Sequence, residues 1–262
     1  MENYRFKIAP SRDAEEMVKR FLPSRSELTI SCVPAHGISE TLETAARLSG
    51  QGYRVIPHLP ARMIPSTSFL RKILAILAGS DIGRILVMAG DGAQEGPYAE
   101  SLHLMEDISE LSNGSFQLGI VGHPEVHPHV PNPALYDALL AKQHLAADIT
   151  TQLCFDVKIL RSYLQRLRND GINLPVWASA PCPLGRDELI DAASRLGVGA
   201  SLHTIKRLGP LARRQFRHGA FDLEQFSLAL GPDFAGLHIN TFNRLNALPL
   251  SLMASHLTGA TQ

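Results

Sequence analysis

Short apolar runs alternate with longer helical segments along the whole chain, and this alternation constrains the fold more than any other feature. The runs are rich in β-branched and aliphatic residues, and the segments between them repeat apolar residues with a helical period. Such alternation is typical of β-α units around a parallel sheet. We predict strands near residues 5–9, 28–33, 54–58, 84–89, 117–122, 148–151, 175–178 and 237–240.

Eight strands in 262 residues predict an α/β fold, a single (β/α)8 TIM barrel domain over residues 1–262. The connection from 199 to 232 is longer than the others and basic, and we expect extra helices at about 200–232. A solvated helix face explains its lysines and arginines better than a phosphate site does.

Charge and cysteine content exclude several classes of function. Lysine plus arginine equals aspartate plus glutamate at 25 each, so no general positive field would attract nucleic acid or an acidic membrane. The three cysteines form no Cys-x-x-Cys motif, which disfavours a disulfide framework. No signal peptide or apolar run of about 20 residues is found. We therefore expect a soluble, cytoplasmic protein with no nucleic-acid and no membrane partner.

Residues suited to chemistry follow directly after several of the apolar runs. Gly90 and Asp91 follow the fourth run, His123 and Glu125 follow the fifth, and Gln152 follows the sixth. The carboxyl ends of parallel strands meet at one rim of a barrel, where catalytic pockets usually lie. The sequence therefore predicts a site at this rim.

Residues 123–129 contain three histidines and a glutamate, which are ligand types that zinc prefers. Two prolines stiffen the segment, and an extended chain holds successive ligands too far apart for one tetrahedral ion. We therefore expect no metal. A metal-dependent barrel hydrolase stays open as an alternative, with candidate ligands His58, His123, His127 and Asp91.

Several short motifs occur in a fixed order along the chain. Residues 124–128 read Pro-Glu-Val-His-Pro, and residues 149–156 read Ile-Thr-Thr-Gln-Leu-Cys-Phe-Asp. The others are Pro-His-Leu at 57–59, Gly-Asp at 90–91, Tyr-Ala at 98–99 and Thr-Phe-Asn-Arg at 241–244. Together they resemble the methylenetetrahydrofolate reductase family.

This resemblance implies a barrel that holds FAD at its carboxyl rim. Hydride would pass between NADH or NADPH, the flavin and a one-carbon unit on a tetrahydrofolate derivative. The implied cofactor-binding positions are His58, Gly90, Asp91, Tyr98, Ala99, His123, His127 and Lys142. The implied substrate-binding positions are Gln152, Asp91 and Asn240.

The residue types suit that chemistry. A carboxylate at Asp91 would stabilise a cationic iminium of the folate, and the amide of Gln152 suits the edge of a pterin ring. Taken singly, each also fits a structural role: Asp91 as a turn residue, Gln152 as a core amide and His58 as a strand-end histidine. The joint pattern favours a site.

One position departs from the family pattern in charge. The family carries Phe-Glu-Phe-Phe-Pro-Pro near its start, and its glutamate is regarded as the general acid that opens the methylene bridge. Here residues 6–11 read Phe-Lys-Ile-Ala-Pro-Ser, so Lys7 occupies the acid position. Lys7 would act as a neutral amine, pair with Asp91 or contact an anionic group. Alternatively, Glu125 supplies the acid. The catalytic candidates are therefore Asp91, Lys7 and Glu125.

Three further departures remove polar contacts to the cofactor: Ala89 replaces an arginine, Val33 a threonine, and the basic pair near Lys142 is reduced. The leading hypothesis is a flavoprotein oxidoreductase of one-carbon metabolism that interconverts 5,10-methylene- and 5-methyl-tetrahydrofolate, in either direction. A folate- or flavin-binding homologue without turnover is the second. We also expect a homo-oligomer.

Overall fold

Eight parallel strands close into a barrel, in which the last strand of the chain pairs with the first. The computed structural model describes residues 3–33, 36–90, 92–125, 131–195, 205–206, 216–217 and 219–249. The barrel strands are β1 (Tyr4–Ile8), β2 (Glu27–Ile30), β3 (Arg54–Pro60), β4 (Arg84–Met88), β5 (Gln117–Gly122), β6 (Ala146–Thr151), β7 (Val176–Pro181) and β10 (Gly236–Asn240). The prediction of a (β/α)8 barrel is confirmed.

Side chains along each strand alternate between the apolar layer under the helices and the interior of the barrel. On β1, Phe6 and Ile8 join the apolar cluster between barrel and helices, while Arg5 and Lys7 face the other way. On β10, Leu237 and Ile239 belong to the same cluster. Because side chains of a strand alternate between its faces, the interior of the barrel receives polar residues from several strands.

Helices cover the outside of the barrel, and four of the described helices begin at a side-chain cap. Ser11 accepts a hydrogen bond from the Ala14 N–H at 3.0 Å, and Asp156 accepts one from the Lys158 N–H at 2.8 Å. The helices are α1 (Arg12–Phe21), α2 (Gly37–Gly50), α3 (Thr67–Gly79), α4 (Ser101–Leu111), α5 (Asn132–Lys142), α6 (Val157–Asn169), α7 (Arg186–Arg195) and α8 (Leu223–Leu230). None of the described helices is long and apolar enough to cross a membrane.

The long connection after α7 contains a short hairpin that the sequence did not predict. Its strands β8 (Phe216–Arg217) and β9 (Ala220–Phe221) pair antiparallel and precede α8. The Phe221 ring lies 5.7 Å from Phe155 and 5.3 Å from Phe226, centroid to centroid. The hairpin therefore packs against the loop that follows β6. Most of residues 196–215 lie outside the described part of the chain.

Candidate active site

The carboxyl rim of the barrel collects most of the residues that the sequence singled out. Lys7 is the penultimate residue of β1, His58 lies near the end of β3 and Asn240 ends β10. His123 and Gln152 directly follow β5 and β6. Because all barrel strands are parallel, these positions share one rim. Two further candidates, Asp91 and His127, lie outside the described residues.

Lys7 is the one residue of β1 that is not fully buried. Burial nevertheless lowers its pKa to about 8, since a charged amine loses favourable hydration inside the protein. Its side chain makes no hydrogen bond or ion pair with any residue that the structure describes. Lys7 is therefore an amine at the mouth of the barrel that exchanges readily between its charged and neutral forms.

His58 contributes an unpartnered nitrogen to the same region. Its side chain is 5% exposed, and its Nε2 has no hydrogen-bond partner within the described residues. Burial, and then the charge of Lys7, hold its pKa well below the usual range. His58 is thus neutral, and an unpaired buried nitrogen of this kind is costly unless a ligand or water pairs with it.

His238 lies beneath these residues, and its ring centroid is 6.5 Å from that of His58. The Ser179 hydroxyl donates to the Thr151 carbonyl and therefore accepts a hydrogen bond from His238 Nδ1, 2.8 Å away. Nε2 then accepts from the Thr29 hydroxyl at 2.8 Å. These contacts fix a neutral imidazole with its proton on Nδ1.

Burial and the charge of Lys7 hold the pKa of His238 well below its usual range. This histidine is not among the residues that the sequence motifs predicted for the site. Its only signal was its position on the inward face of β10, two residues before Asn240.

A charged cluster fills the barrel at the amino ends of the strands. Arg5 is 2% exposed and pairs with Glu27 and, at 2.8 Å, with Asp148. Arg84 pairs with the same Asp148 oxygen. The Arg5 guanidinium also lies 3.8 Å from the ring centroid of Trp177. Two cations and two anions thus neutralise one another below the histidines.

The Thr-Phe-Asn-Arg motif at 241–244 joins the ends of β10 and β1. The Thr241 hydroxyl donates to the Lys7 carbonyl at 2.6 Å. Asn243, with φ of 58°, pairs with the backbone of Ala9. In this chain the motif therefore fixes the position of Lys7 through the backbone rather than by contact with its amine.

Arg62 connects the two loops that follow β3 and β4. Its backbone N–H donates to the Ala89 carbonyl at 3.0 Å, its carbonyl accepts from the Glu95 N–H, and its Nε donates to the Ala99 carbonyl at 3.1 Å. A Cβ on Gly96 would lie 2.2 Å from the Ile64 carbonyl oxygen, so only glycine allows this approach. These contacts hold the segment that includes Tyr98 and Ala99.

Two of the predicted cofactor residues make contacts at α4. The buried Tyr98 hydroxyl donates to Asp107 and lies 3.3 Å from the Thr67 hydroxyl. Lys142 donates to the Ser101 hydroxyl at 2.9 Å, at the first residue of α4. Burial lowers the pKa of Lys142. A helix amino terminus and an ammonium group together form a place suited to an anion.

The loop after β5 packs against α6 and the loop after β6. The Tyr163 hydroxyl hydrogen-bonds with the His123 backbone, next to Gly122, where a Cβ would lie 2.7 Å from that hydroxyl. Burial and the charge of Asp156 raise the pKa of Glu125. Glu125 therefore retains its proton to a higher pH than an exposed glutamate, as a general acid requires.

The two amides predicted to bind substrate differ in their contacts. Asn240 is buried and donates to the Ala180 carbonyl at 3.5 Å. The backbone N–H of Gln152 donates to the Gly122 carbonyl at 2.7 Å. Its side-chain amide makes no hydrogen bond with the described residues. The Gln152 amide is thus available to a ligand.

No three or more His, Cys, Asp or Glu side chains are arranged to hold a metal ion within the part of the chain that is described. Two residues of the alternative metal reading, Asp91 and His127, lie outside that part. His58, the described member deepest in the barrel, has a single unpartnered nitrogen rather than a set of converging ligands.

Comparison with known proteins gives one family. A family model described as methylenetetrahydrofolate reductase matches residues 29–181. A methylenetetrahydrofolate reductase (NADH) from Arabidopsis thaliana is 28% identical over 156 residues, which are 52% of this chain and 26% of that protein. Methylenetetrahydrofolate reductase 2 of Saccharomyces cerevisiae is 26% identical over 137 residues, 48% of this chain and 23% of its own. The matches thus span about a quarter of the length of these relatives. Lys7 and Asn240 lie outside the residues that the family model matches.

One solved structure, a protein from Burkholderia cenocepacia J2315 that is provisionally assigned as a phosphonomutase, superposes on this chain with a TM-score of 0.51. The alignment covers 98% of this chain and 93% of that one, at 10% identity. At this identity the likeness concerns the fold alone.

Proposed function

Because this chain belongs to the methylenetetrahydrofolate reductase family, we propose that it is an FAD-dependent oxidoreductase that interconverts 5,10-methylene- and 5-methyl-tetrahydrofolate. NADH or NADPH would be the redox partner. The observation that carries the proposal is that the Lys7 amine and the Nε2 of His58 both lie at the carboxyl rim without an ion-pair or hydrogen-bond partner among the described residues. Polar groups left unpaired at a barrel mouth are suited to bind a polar ligand.

The described residues fit a dinucleotide cofactor. Lys142 and the first turn of α4 would hold the pyrophosphate, as anions bind at helix amino termini. His58 Nε2 would pair with a polar atom of the flavin. Gly90, with φ of 90°, would allow close approach of the backbone. Tyr98, Ala99, His123 and His127 complete the proposed lining. When bound, the flavin supplies the exchange of hydride.

Lys7 would exchange the proton that accompanies opening and closing of the methylene bridge. In reduction, the ammonium form gives its proton to the leaving nitrogen of the folate, and the positive charge passes from Lys7 to the iminium. Repulsion between two adjacent cations is thereby avoided, because Lys7 is neutral once the iminium exists. In oxidation, the neutral amine accepts the same proton. A pKa of about 8 serves both directions near neutral pH.

Other residues would position the substrate. The Gln152 amide suits the donor and acceptor edge of the pterin, with Asn240 beside Lys7 across the β1–β10 pairing. Asp91 would stabilise the iminium, and Glu125 is the second candidate proton donor. A homo-oligomeric, cytoplasmic enzyme remains part of the proposal.

An absorption spectrum of the freshly purified chain, recorded before and after addition of NADH or NADPH, tests the proposal. We expect flavin bands that bleach with the reduced nucleotide and recover when methylene-tetrahydrofolate is added. Bleaching without recovery, together with folate binding, would favour a binding homologue that lacks turnover. Protein without flavin that also fails to bind added FAD would refute the proposal, and stoichiometric zinc in its place would favour a hydrolase.

A further inference from the structure

The surroundings of Lys7 are those of a nucleophilic amine as well as those of a proton carrier. We infer that Lys7 forms a covalent imine with a small aldehyde at the mouth of the barrel. This activity goes beyond the proposed redox reaction and does not depend on flavin or folate.

The charged groups around the amine leave it without a counter-ion among the described residues. The titratable and charged groups that face it from neighbouring elements are His58 on β3, His238 on β10 and Arg5 on its own strand. Arg5 is neutralised by Glu27 and Asp148, and both histidines are neutral. Within the described residues no carboxylate stabilises the ammonium form of Lys7, and a desolvated amine without a counter-ion is the usual state of an imine-forming lysine.

The side chain of Lys7 is also accessible from solvent. Lys7 is partly exposed, while the other four residues of β1 are buried. The Thr241 hydroxyl holds the carbonyl of Lys7 itself, and the Asn243 amide holds the carbonyl of Ala9, two residues further along. The backbone that carries the amine is thus fixed, and the partly exposed side chain is open to a small molecule from solvent.

Formation of an imine also requires a nearby group that transfers protons. The lone pair of Lys7 attacks the carbonyl carbon, the carbon–nitrogen bond forms as the carbon–oxygen π bond breaks, and the proton lost from nitrogen passes to oxygen. The oxygen of this carbinolamine then takes up a second proton and leaves as water, which gives an iminium on Lys7. His58, neutral and with a free Nε2, is suited to carry these protons.

The chain provides its own control lysines. Lys19, Lys72 and Lys158 are exposed. At about pH 7 roughly one tenth of an amine with a pKa near 8 is neutral, against fewer than about one in a thousand for an ordinary lysine. Only the neutral amine attacks a carbonyl.

The test is reductive trapping of the full-length chain with formaldehyde and cyanoborohydride at about pH 7, followed by peptide mass spectrometry. We expect methylation of Lys7 to be at least about tenfold faster than that of the exposed lysines. The preference should disappear in denaturant, because it arises from the fold. Equal or slower labelling of Lys7 in the folded protein would overturn the inference.

A pair of histidine variants tests the role of the neighbour. His58→Ala should slow the trapping of Lys7 several-fold, while His103→Ala, at an exposed position on α4, should leave it unchanged. Unchanged labelling in the His58 variant would refute its role in proton transfer. Neither result bears on the redox proposal, whose failure would show in the flavin spectrum instead.

Discussion

The side-chain amide of Asn243 hydrogen-bonds both backbone groups of Ala9, accepting from its N–H at 2.9 Å and donating to its carbonyl at 3.1 Å. This bond pair fixes the end of the strand that carries Lys7. Asn243→Gly keeps the left-handed backbone available but removes both bonds. We expect a loss of about 1–3 kcal/mol in the free energy of unfolding, measured with urea, and slower trapping of Lys7.

Asn113→Gly is the matched control, because Asn113 also has a positive φ of 52° but lies exposed after α4. Its effect should stay within about 0.5 kcal/mol. Equal losses in the two variants would show that backbone conformation, rather than the amide bonds to Ala9, explains the effect.

The two reaction directions should depend on pH in opposite ways. Reduction requires the ammonium form of Lys7, so its rate should fall as pH rises through about 8, whereas methyl oxidation requires the neutral amine and should rise over the same range. Steady-state rates with saturating substrates measure both. Parallel pH profiles in the two directions would contradict the proton-transfer role of Lys7.

Replacement of Lys7 by the family's glutamate tests the meaning of that position. Lys7→Glu restores an acid that becomes anionic beside the iminium, and we expect methylene-tetrahydrofolate reduction to rise. Lys7→Met, which retains bulk without a titratable group, should abolish turnover in both directions. A folded glutamate variant with unchanged reductase activity would count against our interpretation.

Acid should destabilise the protein through its two buried histidines. The pKa values of His58 and His238 are lowered, so below about pH 6.5 the unfolded chain binds protons that the folded chain does not. Stability should therefore fall with decreasing pH by about 1.4 kcal/mol per unit for each histidine, and remain unaffected above that range.

Urea unfolding at several pH values, with His58→Leu and the exposed control His103→Leu, measures this slope. The first variant should reduce the slope and the second should not. Identical slopes in the wild type and the His58 variant would mean that His58 accepts a proton within the folded protein.

The charged cluster at the amino end should be sensitive to loss of one partner. Asp148→Ala leaves Arg5 and Arg84 without their shared carboxylate and should cost about 3–5 kcal/mol. Asp191→Ala removes an exposed pair with Arg195 on α7 and should cost under about 1 kcal/mol. Thermal and urea unfolding compare the two, and similar losses would show that the buried pairs add no more than surface ones.

The barrel could be predicted from sequence because its outward face is apolar and repeats at every second residue. Phe6 and Ile8 on β1 show this pattern, as do Leu237 and Ile239 on β10. The hairpin at 216–221 could not be predicted, because strands of two residues are too short to show alternation.

The rim position of the site could also be predicted, since parallel strands bring their carboxyl ends together. The interior of the barrel could not, because its contacts depend on closure. Arg5 and Asp148 are 143 positions apart, and the protonation of His238 is set by Thr29 and Ser179 on two other strands. No local pattern in the sequence encodes such pairings.

The paired charges of Arg5, Glu27, Arg84 and Asp148 occupy the amino end of the barrel interior, so the proposed site is open to ligands from the carboxyl rim. Under the proposed function, nicotinamide and folate would both reach the cofactor from this rim and not from opposite ends of the barrel. Each would have to depart before the other arrives, which gives the alternating order of a ping-pong enzyme. Exchange of the two substrates at this rim, as well as chemistry, would therefore set the rate of turnover.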